Sequence, residues 1–267
     1  MATEIGEAEM LADIASRQQT AGTSGQGSDT EGPTNPFESL KQRILQAQTV
    51  ERPKLSPSEI EEQQRARAEA AAASAVDRLR FEVGAKYADA AVNNWRAETE
   101  RQKQVRAAVV EYCLSVKSRV QCGEGMLLYG PVGTGKDHLA MGVARAACLA
   151  GVSVKWLKGQ EWFGSLRDAI DSERTEGEIF RSLSCQMLVL SDPLPPIGPL
   201  TQYQASMLYR LIEDRYSRGG VIVATVNVAS DEEADSRMGA QAWDRLKDRA
   251  WQIRCEWKSF RKPARIV

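Results

Sequence analysis

Residues 130–137 read Gly-Pro-Val-Gly-Thr-Gly-Lys-Asp, between a short apolar run, Met126, Leu127, Leu128 and Tyr129, and a stretch with helical periodicity through Leu139, Val143, Ala146 and Ala147. Strand, glycine loop, helix is the order that builds a phosphate-binding loop. Glycines let backbone N–H groups close around phosphate oxygens, and the helix N-terminus adds free N–H groups and partial positive charge. The lysine, here Lys136, reaches the outer phosphates, and the next residue normally offers Mg²⁺ a hydroxyl. Here that residue is an acid, Asp137.

The rest of the chain supplies the alternation such a loop requires. Strands are expected over 152–157, 187–190, 221–225 and 251–255, with helices over 161–170 and 177–183. A longer amphipathic helix over 201–217 carries Met207, Leu208, Leu211 and Ile212 and stops at Gly219 and Gly220. Strands alternating with helices predict an α/β fold of three layers, a parallel sheet covered on both faces, with its ligand at the carboxyl ends of the strands.

Upstream, Val105, Ala108, Val109 and Tyr112 recur at helical spacing and are expected to pack on the sheet. A Glu-, Gln-, Arg- and Ala-rich run over 59–80 forms helix readily, with Ser58 as the expected N-cap. Its apolar positions are mainly alanines, so a solvated helix is the favoured expectation and a helix that awaits a partner the alternative. Residues 1–58 combine a short possible helix around Met10, Leu11 and Ile14 with a Gly-, Ser-, Thr- and Pro-rich stretch over 20–36 that buries too little to fold. The expected organisation is therefore a mostly disordered segment over 1–58, a helical extension over 59–100 and a P-loop domain over 101–267.

Composition excludes several classes. The formal net charge of -1 and pI near 6.1 announce neither nucleic acid nor anionic membrane as a global partner. No apolar run approaches the roughly 20 residues that span a bilayer, and the acidic opening lacks the marks of a signal peptide, so a cytoplasmic protein with no membrane contact is expected. Cys113, Cys122, Cys148, Cys185 and Cys255 lack zinc-site spacing and read as reduced packing residues. The only histidine, His138, reads as a packing or capping residue in the first turn after the loop.

A P-loop ATPase needs an acid at the end of a second strand and a polar group beside the γ-phosphate. Asp192 follows the apolar run 187–190 and fits the first need, although Ser191 stands where a first acid is usual. Asn227 follows the strand 221–225 and is placed to orient a water, or else simply ends that strand. Residues 244–265 hold Arg245, Lys247, Arg249, Arg254, Lys258, Arg261, Lys262 and Arg265 against Asp244, Asp248 and Glu256. A solvated basic face is the ordinary reading, and an arginine reaching the γ-phosphate of a neighbouring subunit is the sharper one. Trp156, Trp162 and Phe163 are spaced for core packing rather than for stacking on single-stranded DNA.

Together these features resemble the AAA+ helicase loaders of the DnaC and DnaI type and the transposition-helper ATPases of the IstB type. The run Gly133-Thr134-Gly135-Lys136-Asp137-His138-Leu139-Ala140 carries the resemblance, supported by Tyr87-Ala-Asp-Ala with Trp95, Leu211-Ile-Glu-Asp-Arg-Tyr216, Asp244-Arg-Leu246 and Trp257-Lys-Ser-Phe-Arg261. It implies a P-loop NTPase of the ASCE type that binds ATP with Mg²⁺ and assembles head to tail with copies of itself. The implied partner is a replicative ring helicase, or a transposase, with single-stranded DNA in reach. Gly130, Pro131, Val132, Gly133, Thr134, Gly135, Lys136, Asp137 and His138 would then lie around the phosphates. Asp192 takes the catalytic-acid position, Asn227 sensor 1, Arg245 the arginine finger and Arg261 a sensor-2-like role, with Asp137 and Asp192 at the metal. Helicase loading in DNA replication is the function first implied. The alternatives are a hydrolysis-deficient nucleotide-binding adaptor and a transposition helper. Asp137 and Ser191, both departures at magnesium positions, suit a switch with slow or degenerate ATP hydrolysis more than a motor.

Overall fold

The structure, a computed structural model, describes Lys41 and residues 56–170 and 175–261. The expected helix around Met10, the stretch over 20–36 and the basic residues Lys262 and Arg265 lie outside the described residues. Helix α1, Pro57–Val83, leads through a 3₁₀ turn at Val92–Asn94 to α2, Glu100–Leu114, and α3, Val116–Gln121. Then follow β1, Gly125–Tyr129; α4, Lys136–Leu149; β2, Val154–Lys158; α5, Gly159–Ile170; and α6, Glu176–Ser182. The chain continues with β3, Met187–Ser191; α7, Gln202–Ser217; β4, Val221–Val226; α8, Asp231–Met238; α9, Ala240–Lys247; and β5, Ala250–Arg254.

The strands form one five-stranded sheet in the order β2-β3-β4-β1-β5, and every neighbouring pair is parallel. Period-two alternation divides the core between its faces. Met126, Leu128, Met187, Val189, Val221 and Val223 pack with Leu139, Met141 and Val143 of α4 and with Val105, Val109 and Tyr112 of α2. Leu127, Leu188, Leu190, Ala224 and Val226 turn the other way, onto Trp162, Phe163 and Leu166 of α5, Leu208 and Leu211 of α7 and Trp243 of α9. Each fully buried leucine on β1 and β3 stabilises the fold by about 1.5–3 kcal/mol relative to an exposed one, so a one-residue slip of either strand is excluded energetically. The result is a three-layer α/β/α sandwich.

Two expectations about α1 are corrected. Its N-cap is Ser56, not Ser58: the Ser56 hydroxyl accepts from the Glu59 N–H at 3.3 Å, and Glu59 Oε2 accepts from the Ser56 N–H at 2.7 Å. Both serines are followed three residues later by glutamate, and Pro57 decides between them, because its fixed φ and missing N–H suit the first helical position. The second correction concerns its solvated face. Val76, Leu79 and Val83 are buried in the core cluster that contains α4 and Trp156 of β2. Glu82 Oε2 also accepts from the Trp156 N–H at 2.9 Å, which satisfies a donor on the outermost strand of the sheet. The earlier part of α1 is exposed and polar, so only its last two turns join the domain.

Candidate functional site

The carboxyl ends of β1, β3 and β4 meet at the start of α4, and a cavity of about 460 Å³ opens there. Gly130, Gly133 and Gly135 have φ of 138°, 79° and 85°, a region that side chains other than glycine rarely enter. These values let the loop coil between β1 and α4 with Gly135 as the helix N-cap. Lys136 turns back over the loop, its ammonium donating to the Gly130 and Pro131 carbonyls at 2.8 and 2.7 Å. It is 6% exposed, and burial lowers its pKa. Thr134 Oγ1 donates to the Pro131 carbonyl at 3.0 Å, and Val132 stays exposed on the cavity rim.

The strand ends supply the acid and the amide. Asp192 follows β3 with φ 45°, an uncommon conformation for a non-glycine residue that recurs at functional sites. Its N–H donates to the Thr225 carbonyl at 3.0 Å, which ties the turn to β4. Asn227 Nδ2 donates to Asp192 Oδ1 at 2.7 Å. Burial raises the Asp192 pKa, and the bond from Asn227 acts against that rise. Asp137 accepts from two hydroxyls, Ser191 Oγ at 3.0 Å and Thr225 Oγ1 at 2.7 Å.

Segments from both ends of the domain cover the loop. The Phe260 N–H donates to the Gly133 carbonyl at 2.8 Å, and Trp257 Nε1 to the Thr134 carbonyl at 3.0 Å. Trp95 packs edge-on against Trp257 and Phe260, with ring centroids 5.6 and 5.9 Å away. Beside it, His138 Nε2 faces the Ala91 carbonyl at 3.0 Å and Asn94 Oδ1 at 2.7 Å. Both partners accept, so Nε2 carries the proton and the ring pins the 3₁₀ turn to α4. Burial keeps its pKa below the ordinary value.

Lys86, Arg96, Lys136 and Arg261 line the cavity against Asp137 and Asp192. Excess positive charge, backbone N–H groups at a helix start and a deep cleft suit a polyanion such as a nucleotide triphosphate. The donor set also fits magnesium. No cluster of three or more His, Cys, Asp or Glu able to cage a metal occurs among the described residues. Instead one or two carboxylates and hydroxyl oxygens stand at the phosphate end, and magnesium binds by a few hard oxygens while sharing the substrate's phosphates.

Arg245 is not in this cavity. On α9 it pairs with Glu213 of α7 at 2.6 Å and lies over the Tyr216 ring at 4.9 Å. Much of the local basic excess is likewise paired, Lys247 with Asp231 at 2.8 Å and Arg254 with Glu256 at 2.7 Å. Trp156, Trp162 and Phe163 are buried and offer no stacking surface.

Some residues of the site carry no local sequence signal. Arg237 of α8 donates to the Asn227 and Gly198 carbonyls, each at 3.1 Å, and to the Pro195 carbonyl, so it fixes the loop after β3 against the end of β4. Lys86 and Arg96 reach the cavity through the turn between α1 and α2, which only tertiary packing brings over the loop.

A sequence model of the IstB-like ATP binding protein family matches residues 62–266. An insertion-sequence protein of Mycobacterium tuberculosis named as ATP-binding is 27% identical over 146 residues, 53% of this chain and 57% of that protein. A protein of insertion sequence IS21 from Pseudomonas aeruginosa, also named as ATP-binding, is 26% identical over 147 residues, 53% of this chain and 54% of that protein. The chain thus spans just over half the length of these relatives. Among solved structures, the DnaC helicase loader superposes with a TM-score of 0.58 at 17% identity, over 64% of this chain and 99% of that one, a likeness of fold.

Proposed function

The chain belongs to the IstB-like ATP binding protein family, and we propose that it is an ATP-controlled switch that assembles head to tail and serves a transposase. The observation that supports the nucleotide reading is the convergence of Lys136, Asp137, Asp192, Asn227 and Arg261 from separate elements on one cavity. In this reading the N–H groups of the glycine loop and Lys136 hold the β- and γ-phosphates, and Arg261 approaches the outer phosphate from the C-terminal segment. Asp137 would hold the metal, and Asp192, its carboxylate held by the bond from Asn227, would orient an attacking water. Magnesium bound there neutralises phosphate charge.

The choice of partner follows from the insertion-sequence relatives. Helicase loading rests on motifs shared by the DnaC and IstB branches and stands as the second reading. Arg245, outside its own cleft and partly exposed beside Glu213, is proposed to reach the nucleotide of a neighbouring copy.

Light scattering tests the assembly, with ATP and Mg²⁺ and in their absence, on the wild type, Lys136→Ala and Arg245→Ala. The expected result is nucleotide-dependent assembly by the wild type alone, with Arg245→Ala still binding ATP. A wild type that binds ATP and stays monomeric refutes the switch. Co-purification with a transposase from the native host, dependent on Lys136, supports the transposition reading, and ATP-dependent capture of a ring helicase instead would replace it.

A further inference from the structure

Resting on the nucleotide reading above, we propose that Asp137 and Ser191 are one reciprocal exchange rather than two losses. The hydroxyl and the carboxylate that flank the metal in a P-loop ATPase have traded places between the loop helix and the strand. In the general arrangement the residue after the lysine supplies the hydroxyl and the strand end supplies the acid. Here the acid opens α4 and the hydroxyl ends β3.

The two side chains face each other across 54 positions of sequence, Ser191 Oγ donating to Asp137 Oδ1 at 3.0 Å. The fold sets the β3 end against the start of α4 whatever stands there, and the exchange leaves one hydroxyl and one carboxylate between the two positions. The sheet reinforces the pair. Ser191 and Thr225 are register partners on β3 and β4, and Thr225 Oγ1 donates to the same Asp137 oxygen at 2.7 Å. Both hydroxyls are buried, at 7% and 2% exposure, so the carboxylate is their means of satisfaction. Among the described residues nothing donates to Asp137 Oδ2, and Asp137 lines the cavity. The pair carries one carboxylate and one hydroxyl, as an ordinary pair does, so its charge toward a divalent ion is unchanged.

The exchange predicts that reversing it is tolerated and that half-reversing it is not. The full chain is prepared as wild type, Asp137→Thr, Ser191→Asp and the double variant. Two readouts are taken: thermal melting without nucleotide, and ATP affinity by calorimetry with and without Mg²⁺. Asp137→Thr removes the carboxylate and is expected to reduce the Mg²⁺-dependent gain in ATP affinity by about tenfold or more. Ser191→Asp sets two carboxylates against each other and is expected to melt lower than wild type without Mg²⁺, and to recover when Mg²⁺ is added. The double variant is expected to regain the wild-type melting temperature, and the wild-type Mg²⁺ dependence within about threefold. A double variant no better than the poorer single variant in both readouts overturns the exchange. If wild type itself binds no ATP, the nucleotide reading fails, and the melting cycle still decides: recovery in the double supports the exchange, and additive losses overturn it. Should Ser191→Asp not fold, folding restored in the double is the supporting result and continued failure the overturning one.

Discussion

Gly135→Ala and Gly151→Ala form a matched pair, since the two glycines flank the same helix, α4, with nearly equal φ of 85° and 79°. Alanine at either position carries the left-handed backbone cost of about 1–2 kcal/mol. Their surroundings differ. A Cβ at Gly151 meets nothing within 4 Å, whereas one at Gly135 falls 2.5 Å from Trp95 Nε1 and 3.3 Å from Phe260 Cε2. Trp95 is 3% exposed and wedged between Trp257 and Phe260, so it cannot yield without repacking. Overpacking costs about 1–3 kcal/mol, and each displaced aromatic pair about 0.5–1.5 kcal/mol more. Gly135→Ala is therefore expected to destabilise by about 2–6 kcal/mol beyond Gly151→Ala, and to weaken ATP binding while Gly151→Ala leaves it unchanged. Urea unfolding followed by tryptophan fluorescence, with calorimetry for ATP, measures both. Equal midpoints for the two variants refute the claim that Trp95 is locked onto the loop.

Other outcomes follow from the same structure. Arg215, 7% exposed, donates to the carbonyls of Cys185, Gln186 and Val221 at 2.6, 2.9 and 3.0 Å, so Arg215→Met strips a donor from one buried and two partly buried carbonyls and is expected to cost about 2–3 kcal/mol in urea unfolding. Burial pushes the thiols of Cys113 and Cys148 up to about 11 and that of Cys255 up to about 12, while Cys122 is exposed. At pH 8 a thiol with a pKa of 11 is only about 0.1% thiolate, so a disulfide reagent is expected to label Cys122 within the fast phase and those three slowly. Mass spectrometry of the labelled peptides checks it, and fast labelling of Cys148 or Cys255 contradicts their burial.

The sheet was legible because β1, β3 and β4 are short apolar runs, β2 and β5 mix apolar with polar residues over the same length, and glycine and polar turns punctuate them; all five expected strand positions overlap those observed. The role of α1 was not legible. Val76, Leu79 and Val83 are too few in an alanine-rich helix to announce a buried face, and the surface they bury against belongs to α4 and β2, far along the chain. At the site, Lys136, Asp192, Asn227 and Arg261 stood out one by one in the sequence. Their meeting in one cavity depends on the strand order, in which β1 sits between β4 and β5. Ser191 looked like a loss because its partner is set by the β3–β4 register and by the start of α4, which no local pattern encodes. Arg237 carries no local signal for the same reason, since its acceptors come from two separate loops.

This cleft is proposed to bind ATP through a metal held by Asp137. Calorimetric titration of the wild type with ATP, once with Mg²⁺ and once with a chelator, tests it most directly. At about 5 Å from a phosphate oxygen an uncompensated carboxylate costs about 3 kcal/mol at an effective dielectric of 20, so removal of Mg²⁺ is expected to weaken binding about a hundredfold. Equal affinity in the two titrations contradicts the account.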